Sequence, residues 1–527
     1  MSNSIKFLVF LFISIIHLPY LFSDDLEQLS QEKLIKLLIR NNLEIKYQLY
    51  NLKIASELVQ KEKAIFESTL TASLNHEDNH TPNTAEQFYD RMYKEDYHER
   101  ITSYQTGVKK LLSPGTVVSF DLLIDDIDND LISQKYQNLE DKETSSSLNV
   151  QINQPLLKNF GTKSTEAKID IANVSKEITS LEYINNLMNI VSESLSSYWE
   201  LYYTTKQYDI YKDSVQIAQG LLITNTEMVK EGRMEGSELF DVKSDLVLRR
   251  SLLNAAKQKL ITSQNKIYSL LGKPNGGNDV NFIPIDKPDF TKVEKVLANK
   301  SILKNAFMNN PKYMSGLMQL KQQDIQISYI ENQNLPDLNL KASFSIASLD
   351  SRPENFIENI FNDNDESWSL GLEFKMPLSG GIDMKSELAI ARYKKQQILV
   401  RLRAIEIELD NQVNTYLKRV YYCLKQLDEH AENVKLKQKL MEIESSKLDA
   451  GKSNTQKVLE KEKELNQAKN ESLRAEVNLE LSMIELKRIE GVLLENYDIN
   501  IKIKDIKQSK DISEAIEKRY NAYMRIQ

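Results

Sequence analysis

Hydrophobic residues along this chain follow two rhythms, and the points where one gives way to the other set out its layout. In SSSLNVQINQPL (Ser145–Leu156), Leu148, Val150 and Ile152 alternate with Asn149, Gln151 and Asn153. In SWSLGLEFKMPL (Ser367–Leu378), Leu370, Leu372 and Phe374 alternate with Gly371, Glu373 and Lys375. A period of two sends successive side chains to opposite faces, so each segment predicts a strand with one apolar and one polar face. Both run into Pro-Leu and a glycine-containing loop, and a helical spacing then takes over. In the second copy, Ile398, Leu402, Ile405, Leu409, Val413, Tyr416, Val420, Leu424, Leu427, Ala431 and Val434 make ten steps over 36 residues (434 − 398), a period of 3.6. That stripe predicts a straight helix, whereas Leu427, Val434, Met441 and Leu448, recurring every seven, predict left-handed coiling around a neighbour. A helix of about 66 residues at ~1.5 Å per residue extends ~100 Å, more than one globular core can cover.

Other segments fill in the order. Leu34, Leu37, Leu38, Ile45, Leu49, Leu52, Ala55 and Val59 predict a helix from Leu26 to about Ile65, followed by a strand at Thr69–Leu74. Tyr104–Leu112 and Val117–Ile124, parted by Ser113, Pro114 and Gly115, predict an extra hairpin. A long helix from about Thr162 to Val229 breaks at Gly232 and Gly236, and a return helix ends at Gly272 and Pro274. Leu338–Ile346 predicts a further strand.

The second half repeats the first. IRNNLEIKYQLYNLK (Ile39–Lys53) matches FMNNPKYMSGLMQLK (Phe307–Lys321) at an offset of 268 (309 − 41), and the strand junctions match at 222 (377 − 155). The breaks EGRMEGSELFD (Glu231–Asp241) and AGKSNTQKVLE (Ala450–Glu460) match at 219 (451 − 232), as do DVNF (Asp279–Phe282) and DINI (Asp498–Ile501). The drop in offset places the additional length of the first repeat where the extra hairpin lies. The expected organisation is a signal peptide over 1–23, one repeat over 24–290, a second over 291–502, and a charged C-terminal tail over 503–527.

Composition narrows the function. With 41% hydrophobic and 27% charged residues but only fifteen glycines and eleven prolines in 527, the chain reads as a few long helices. Its 68 basic and 76 acidic residues give a net charge of −8 without clustering, which supports neither a nucleic-acid footprint nor a polybasic membrane patch. The single cysteine, Cys423, excludes an internal disulfide framework. At the N-terminus, Lys6, the apolar run Phe7–Ile16, Pro19 and Ser23 precede Asp24 and Asp25 in the layout of an export signal. No later stretch approaches the ~18 apolar residues of a membrane helix, so a membrane crossing would fall to strands.

Few motifs suggest chemistry. His76-Glu77-Asp78-Asn79-His80 satisfies H-E-x-x-H, yet it lacks the apolar helix that sets both imidazoles on one metal, and it reads as a solvated loop. DDIDND (Asp125–Asp130) and NDNDE (Asn362–Glu366) resemble calcium loops, but from Asp126 the sixth and twelfth positions are Leu131 and Gln137 rather than glycine and glutamate. They read as hairpin loops. No phosphate loop, dinucleotide fingerprint or nucleophile elbow occurs, so no enzyme, cofactor or metal is expected. Tyr89, Tyr93, Tyr97, Tyr104 and Trp368 are candidates for an aromatic belt at a membrane surface.

The duplicated helix–strand–strand–helix plan, the junction QPLLKNFG (Gln154–Gly161) with its echo MPLSGG (Met376–Gly381), and the two helix breaks together resemble the TolC-type outer-membrane efflux proteins from about Leu26 to Lys502. The resemblance implies a mainly α protein with a membrane β-barrel. Three copies would pool four strands each (69–74, 145–154, 338–346 and 367–376) into a twelve-stranded barrel continued by a long helical barrel. It further implies the outer-membrane channel of a tripartite efflux pump or type I secretion system, a passive duct without cofactor. Its partners would be outer-membrane lipid, a periplasmic adaptor and an inner-membrane transporter. Leu148, Val150, Ile152, Leu370, Leu372 and Phe374 would face lipid. The tips at Gly232, Gly236 and Gly451 would dock the adaptor, and Glu238, Asp241, Lys457 and Glu460 would line the entrance. Lys457 departs from the family's acidic pattern. Two rival readings are a periplasmic adaptor-like coiled-coil scaffold without a pore, for which no lipoyl-like segment is visible, and a secreted zinc protease built on His76 and His80.

Overall fold

The computed structural model describes residues 25–526 except 133–142, 234, 275–279, 292, 351–364, 379–380, 498 and 500–509. The expected signal peptide, the Asn362–Asn364 part of the second acidic run, Ser379 and Gly380 of the second junction, and parts of DVNF and DINI lie outside the described residues.

The principal elements in chain order are β1 (Asp25–Leu29), α1 (Gln31–Asn41), α2 (Leu43–Lys63), β2 (Thr69–Pro82), β3 (Asp96–Leu111), β4 (Val117–Asn129) and β5 (Glu143–Pro155). They continue with α3 (Ala167–Lys230), α4 (Gly236–Leu270), β6 (Val280–Pro284), α5 (Ile302–Asn309), α6 (Pro311–Gln333), β7 (Asp337–Asp350) and β8 (Asp365–Lys375). The last are α7 (Ile382–Asp449), α8 (Thr455–Glu490) and α9 (Lys510–Ile526). The chain forms two units, each assembled from three separated stretches.

The helical unit comprises 1–46, 187–302 and 412–499. Its small sheet pairs β1 with β6 in parallel, so Asp25–Leu29 is a strand rather than the start of the expected first helix. The Tyr198 hydroxyl donates to Leu29 O at 3.2 Å and to the Asp286 carboxylate at 3.0 Å, which ties that sheet to α3. Gln264 on α4 donates to Phe282 O at 2.8 Å and accepts from Phe282 N at 3.1 Å, satisfying both polar groups of a buried strand residue. Asn42 interrupts α1 and α2 because its side chain is spent on the fold: Nδ2 donates to Leu270 O at 2.7 Å, and Oδ1 accepts from Ile45 N at 3.0 Å.

Both helix breaks fall where the glycines predict. Gly232 and Gly451 each adopt φ +69°, a left-handed conformation that favours glycine because it has no Cβ. The bonds Gly232 N to Val229 O and Arg233 N to Met228 O recur as Gly451 N to Leu448 O and Lys452 N to Lys447 O. This double closure satisfies the last carbonyls of α3 and α7. Gly236, by contrast, opens α4 with no positive φ.

The sheet-bearing unit comprises 47–186, 303–411 and 500–527. Its sheet has six strands in the order β2-β3-β4-β5-β7-β8, antiparallel throughout. This corrects the four-strand count: the hairpin expected at 104–124 is β3–β4, lies between β2 and β5, and is longer than its apolar core. The expected strand 69–74 also extends to Pro82, and the acidic run Asp125–Asn129 is strand rather than loop. Cross-strand pairing extends these segments through polar residues that carry no strand propensity of their own.

The expected charged tail is corrected as well. Lys510–Ile526 forms α9, whose Arg519 guanidinium bonds Glu406 on α7 at 2.8–2.9 Å and whose Tyr523 hydroxyl donates to Asp410 at 3.0 Å. Phe307 gathers Tyr313, Tyr520 and Tyr523 around its ring at centroid distances of 5.2–5.5 Å. Tyr523 is 4% exposed, so α9 belongs to the core of this unit.

Candidate functional site

Residues opposite one another in a sheet share a face, so register alone sorts the side chains. Leu70, Val108, Phe120, Val150, Phe344 and Trp368 form one row across all six strands. The flanking rows on that face hold Leu122, Leu148 and Ile346 on one side and Val118, Ile152 and Leu370 on the other. Leu372 and Phe374 continue it along β8. All six strand residues singled out in the sequence therefore share one face. Ile152, Leu370, Leu372 and Phe374 are exposed, Leu148 and Val150 are half-buried, and Trp368 on the same face is 77% exposed.

The opposite face is polar. Its central row is Thr71, Gly107, Asp121, Asn149, Ser345 and Ser367, and the next is Thr69, Lys109, Ser119, Gln151, Ser343 and Ser369. Lys341 and Glu373 pair across it at 2.5 Å, and Ser343 and Ser369 hydroxyls meet at 2.8 Å. A hollow of about 510 Å³ lies against Thr71, Asp121, Gln151 and Ser343, so the polar face is the concave one.

At the helix breaks, the first turns of α4 and α8 share a hollow of about 480 Å³ lined by Glu238, Asp241, Asp245, Glu460 and Lys463. The structure thus brings together three of the four entrance candidates. Lys457 is exposed outside that lining, and its backbone N–H is capped by Asn454 at 3.1 Å. Beneath the hollow, Val215, Ala218, Val242, Leu246 and Leu459 form a small apolar core.

Sequence reading missed the strongest polar cluster here. The Arg249 guanidinium, 4% exposed, bonds the carboxylates of Glu462 and Asp245 and the hydroxyl of Ser214, and donates to Leu459 O at 3.3 Å. Glu462 is 2% exposed and also accepts from Asn466. Burial makes such a pair costly to break, because the surviving charge has no water to turn to. One signal was available: Arg249 falls in step with the buried positions Val242 and Leu246.

The metal motif does not assemble. His76 and His80 lie in β2, not in a loop, and a strand sends Glu77 to the opposite face. His80 pairs with Asp96 at 3.1 Å, and His98 pairs with Asp78 at 2.5 Å. Among the described residues no group of His, Cys, Asp and Glu is arranged to hold a metal ion. Of the aromatic candidates, Tyr89 and Tyr93 stack edge-on with Phe88 in the β2–β3 connection, while Tyr104 and Trp368 stand on the apolar face of the sheet.

Residues 302–492 match the family model described as outer membrane efflux protein. The Campylobacter jejuni CmeC outer membrane channel superposes with a TM-score of 0.64 at 14% identity, covering 93% of this chain and 88% of that one. The chain has the TolC-type outer-membrane efflux fold. The TolC-type architecture recurs in the Vibrio cholerae outer membrane protein VceC, with a TM-score of 0.61 at 11% identity over 88% of this chain and 96% of that one. It recurs again in the open-state Neisseria gonorrhoeae MtrE outer membrane channel, with a TM-score of 0.60 at 13% identity over 88% and 89%. No curated protein matches the sequence. The TolC-type resemblance carried by the junction and break motifs therefore holds at the level of fold.

Proposed function

We propose that the chain is the outer-membrane channel of an export system, a passive duct driven by an inner-membrane transporter through a periplasmic adaptor. The supporting observation is the six-stranded sheet: apolar and exposed on one face, polar and concave on the other. Its strands run to 11–16 residues, enough for the ~9–11 that a tilted strand needs to cross the hydrocarbon core. Lipid solvates Leu148, Val150, Ile152, Leu370, Leu372 and Phe374, and water fills the polar side. Open sheet edges are not tolerated in lipid, so copies of the chain close the barrel, three of them by analogy with the fold.

In this reading the tips at Gly232, Gly236 and Gly451 meet the adaptor, and Glu238, Asp241 and Glu460 line the entrance, with Lys457 moderating the negative charge. Neither the tripartite-pump nor the type I secretion setting is favoured by a residue on these surfaces. The adaptor-scaffold alternative leaves the exposed apolar face without a solvent. Planar-bilayer recording of the purified protein tests the proposal: discrete conductance steps are expected, with larger currents or longer openings when Glu238, Asp241 and Glu460 are neutralised to amides. No steps from either form would overturn it.

A further inference from the structure

The hairpin β3–β4 is integral to the sheet. Its pairing with β2 is continuous from Thr69–Lys109 to Pro82–Asp96, and its pairing with β5 runs from Val117–Asn153 to Ile127–Glu143. It keeps the two-faced pattern, with Val108 and Phe120 in the apolar row and Gly107 and Asp121 in the polar row. A Cβ on Gly107 would meet the Asp121 carboxylate, so glycine is what lets that carboxylate lie across the strand. The turn is pinned: Gly161 N donates to Pro114 O at 3.0 Å, and Ser113 Oγ donates to Glu166 Oε1 at 2.6 Å. Short turns at one end and long connections at the other are the layout of a membrane barrel.

We infer that β3 and β4 are membrane-spanning strands, and that three copies contribute six strands each to one eighteen-stranded barrel. This rests on the trimeric channel reading. The outer strands β2 and β8 run in opposite directions, so β8 of one copy meets β2 of the next antiparallel and the ring closes with an even number of strands. Every residue of both outer strands is exposed. With strands ~4.8 Å apart and tilted by ~40°, eighteen give a ring ~36 Å across between backbones, against ~24 Å for twelve. Lined by serine, threonine, asparagine and glutamine, that lumen takes hydrated cargo wider than a twelve-stranded ring admits.

Spin labelling of the full-length protein in lipid vesicles tests the count. In a Cys423→Ser background, nitroxides are placed on β4 by Ser119→Cys and Phe120→Cys, and on β5 by Val150→Cys and Gln151→Cys. Collision with oxygen relative to a water-soluble nickel chelate should be several-fold higher at positions 120 and 150 than at 119 and 151. Alternation on β5 with both β4 positions equally wet would overturn the six-strand count and leave the channel standing. Wetness at all four positions would instead overturn the channel reading itself. Electron-microscopic projections of the assembly should then show a barrel ~36 Å across, and ~24 Å would overturn eighteen-strand closure.

Discussion

The chain has two tryptophans, and they occupy opposite kinds of environment. Trp199 in the helical unit is 1% exposed and packs edge-on against Tyr198 at 5.5 Å, whereas Trp368 on β8 is 77% exposed beside Leu370 and Leu372. The helical unit buries Tyr198 and Trp199 within a single copy, and it also buries charge, as Arg249 and Glu462 show, while Phe240, Val247, Tyr421 and Tyr422 stay exposed along its helices. The sheet leaves large apolar side chains such as Trp368, Leu370 and Leu372 outward and, among the described residues, one edge of β2 and one edge of β8 without a partner strand. The helical unit has a core of its own beneath its exposed apolar residues, while the apolar face and open edges of the sheet need a solvent and a neighbour that a single chain cannot supply.

Three changes bear on that contrast. The largest effect is expected in the helical unit: Arg249→Ala leaves the Glu462 carboxylate buried beside no cation and should cost about 3–5 kcal/mol in urea unfolding. Pairing Arg249→Met with Glu462→Leu should recover most of it, and a cost near zero for the single change would mean the cluster is solvated. Next, Val150→Arg or Leu372→Arg should each cost ~2–4 kcal/mol at mid-membrane depth, read as loss of assembled oligomer, while Gln151→Arg on the polar face assembles normally. Equal behaviour on both faces would erase the distinction between them.

The smallest effect concerns Glu480 on α8, whose carboxyl is pushed above the usual glutamate range chiefly by burial, although it accepts from Asp289 N at 3.1 Å. The folded state therefore holds this proton more tightly than the unfolded state, and stability falls as pH rises through the interval above the ordinary value. Glu480→Gln can keep the Asp289 contact without the buried charge. It should raise Tm slightly at pH 7, and the gain should vanish on acidification towards the ordinary glutamate range. A gain that persisted there would assign the effect to packing.

The helix breaks were legible because a glycine just past the last apolar position of a helix can close it in the left-handed conformation, and Gly232 and Gly451 needed no partner to be read. The apolar stripe from Ile398 to Val434 was equally legible, and every one of its residues is buried or half-buried. What escaped depended on distant partners. His76, Asp78 and His80 look like loop residues until β3 is laid beside them, and nothing local says that β3 and β4 enter between β2 and β5. The charges of Arg249 and Glu462 are ordinary in isolation and become a cluster only across helices. The last helix was readable, since Ile512, Ile516, Tyr520 and Tyr523 recur at helical spacing, but the surrounding charge obscured that stripe.

The hairpin also bears on how such proteins can diversify. With or without β3 and β4, the outer strands remain β2 and β8, pointing as they do now. Two strands are the smallest insertion with that property, because adding one would reverse an edge and leave parallel neighbours at every seam. In the barrel proposed above, gaining or losing a hairpin at this site would change the bore without reshaping the joint between copies.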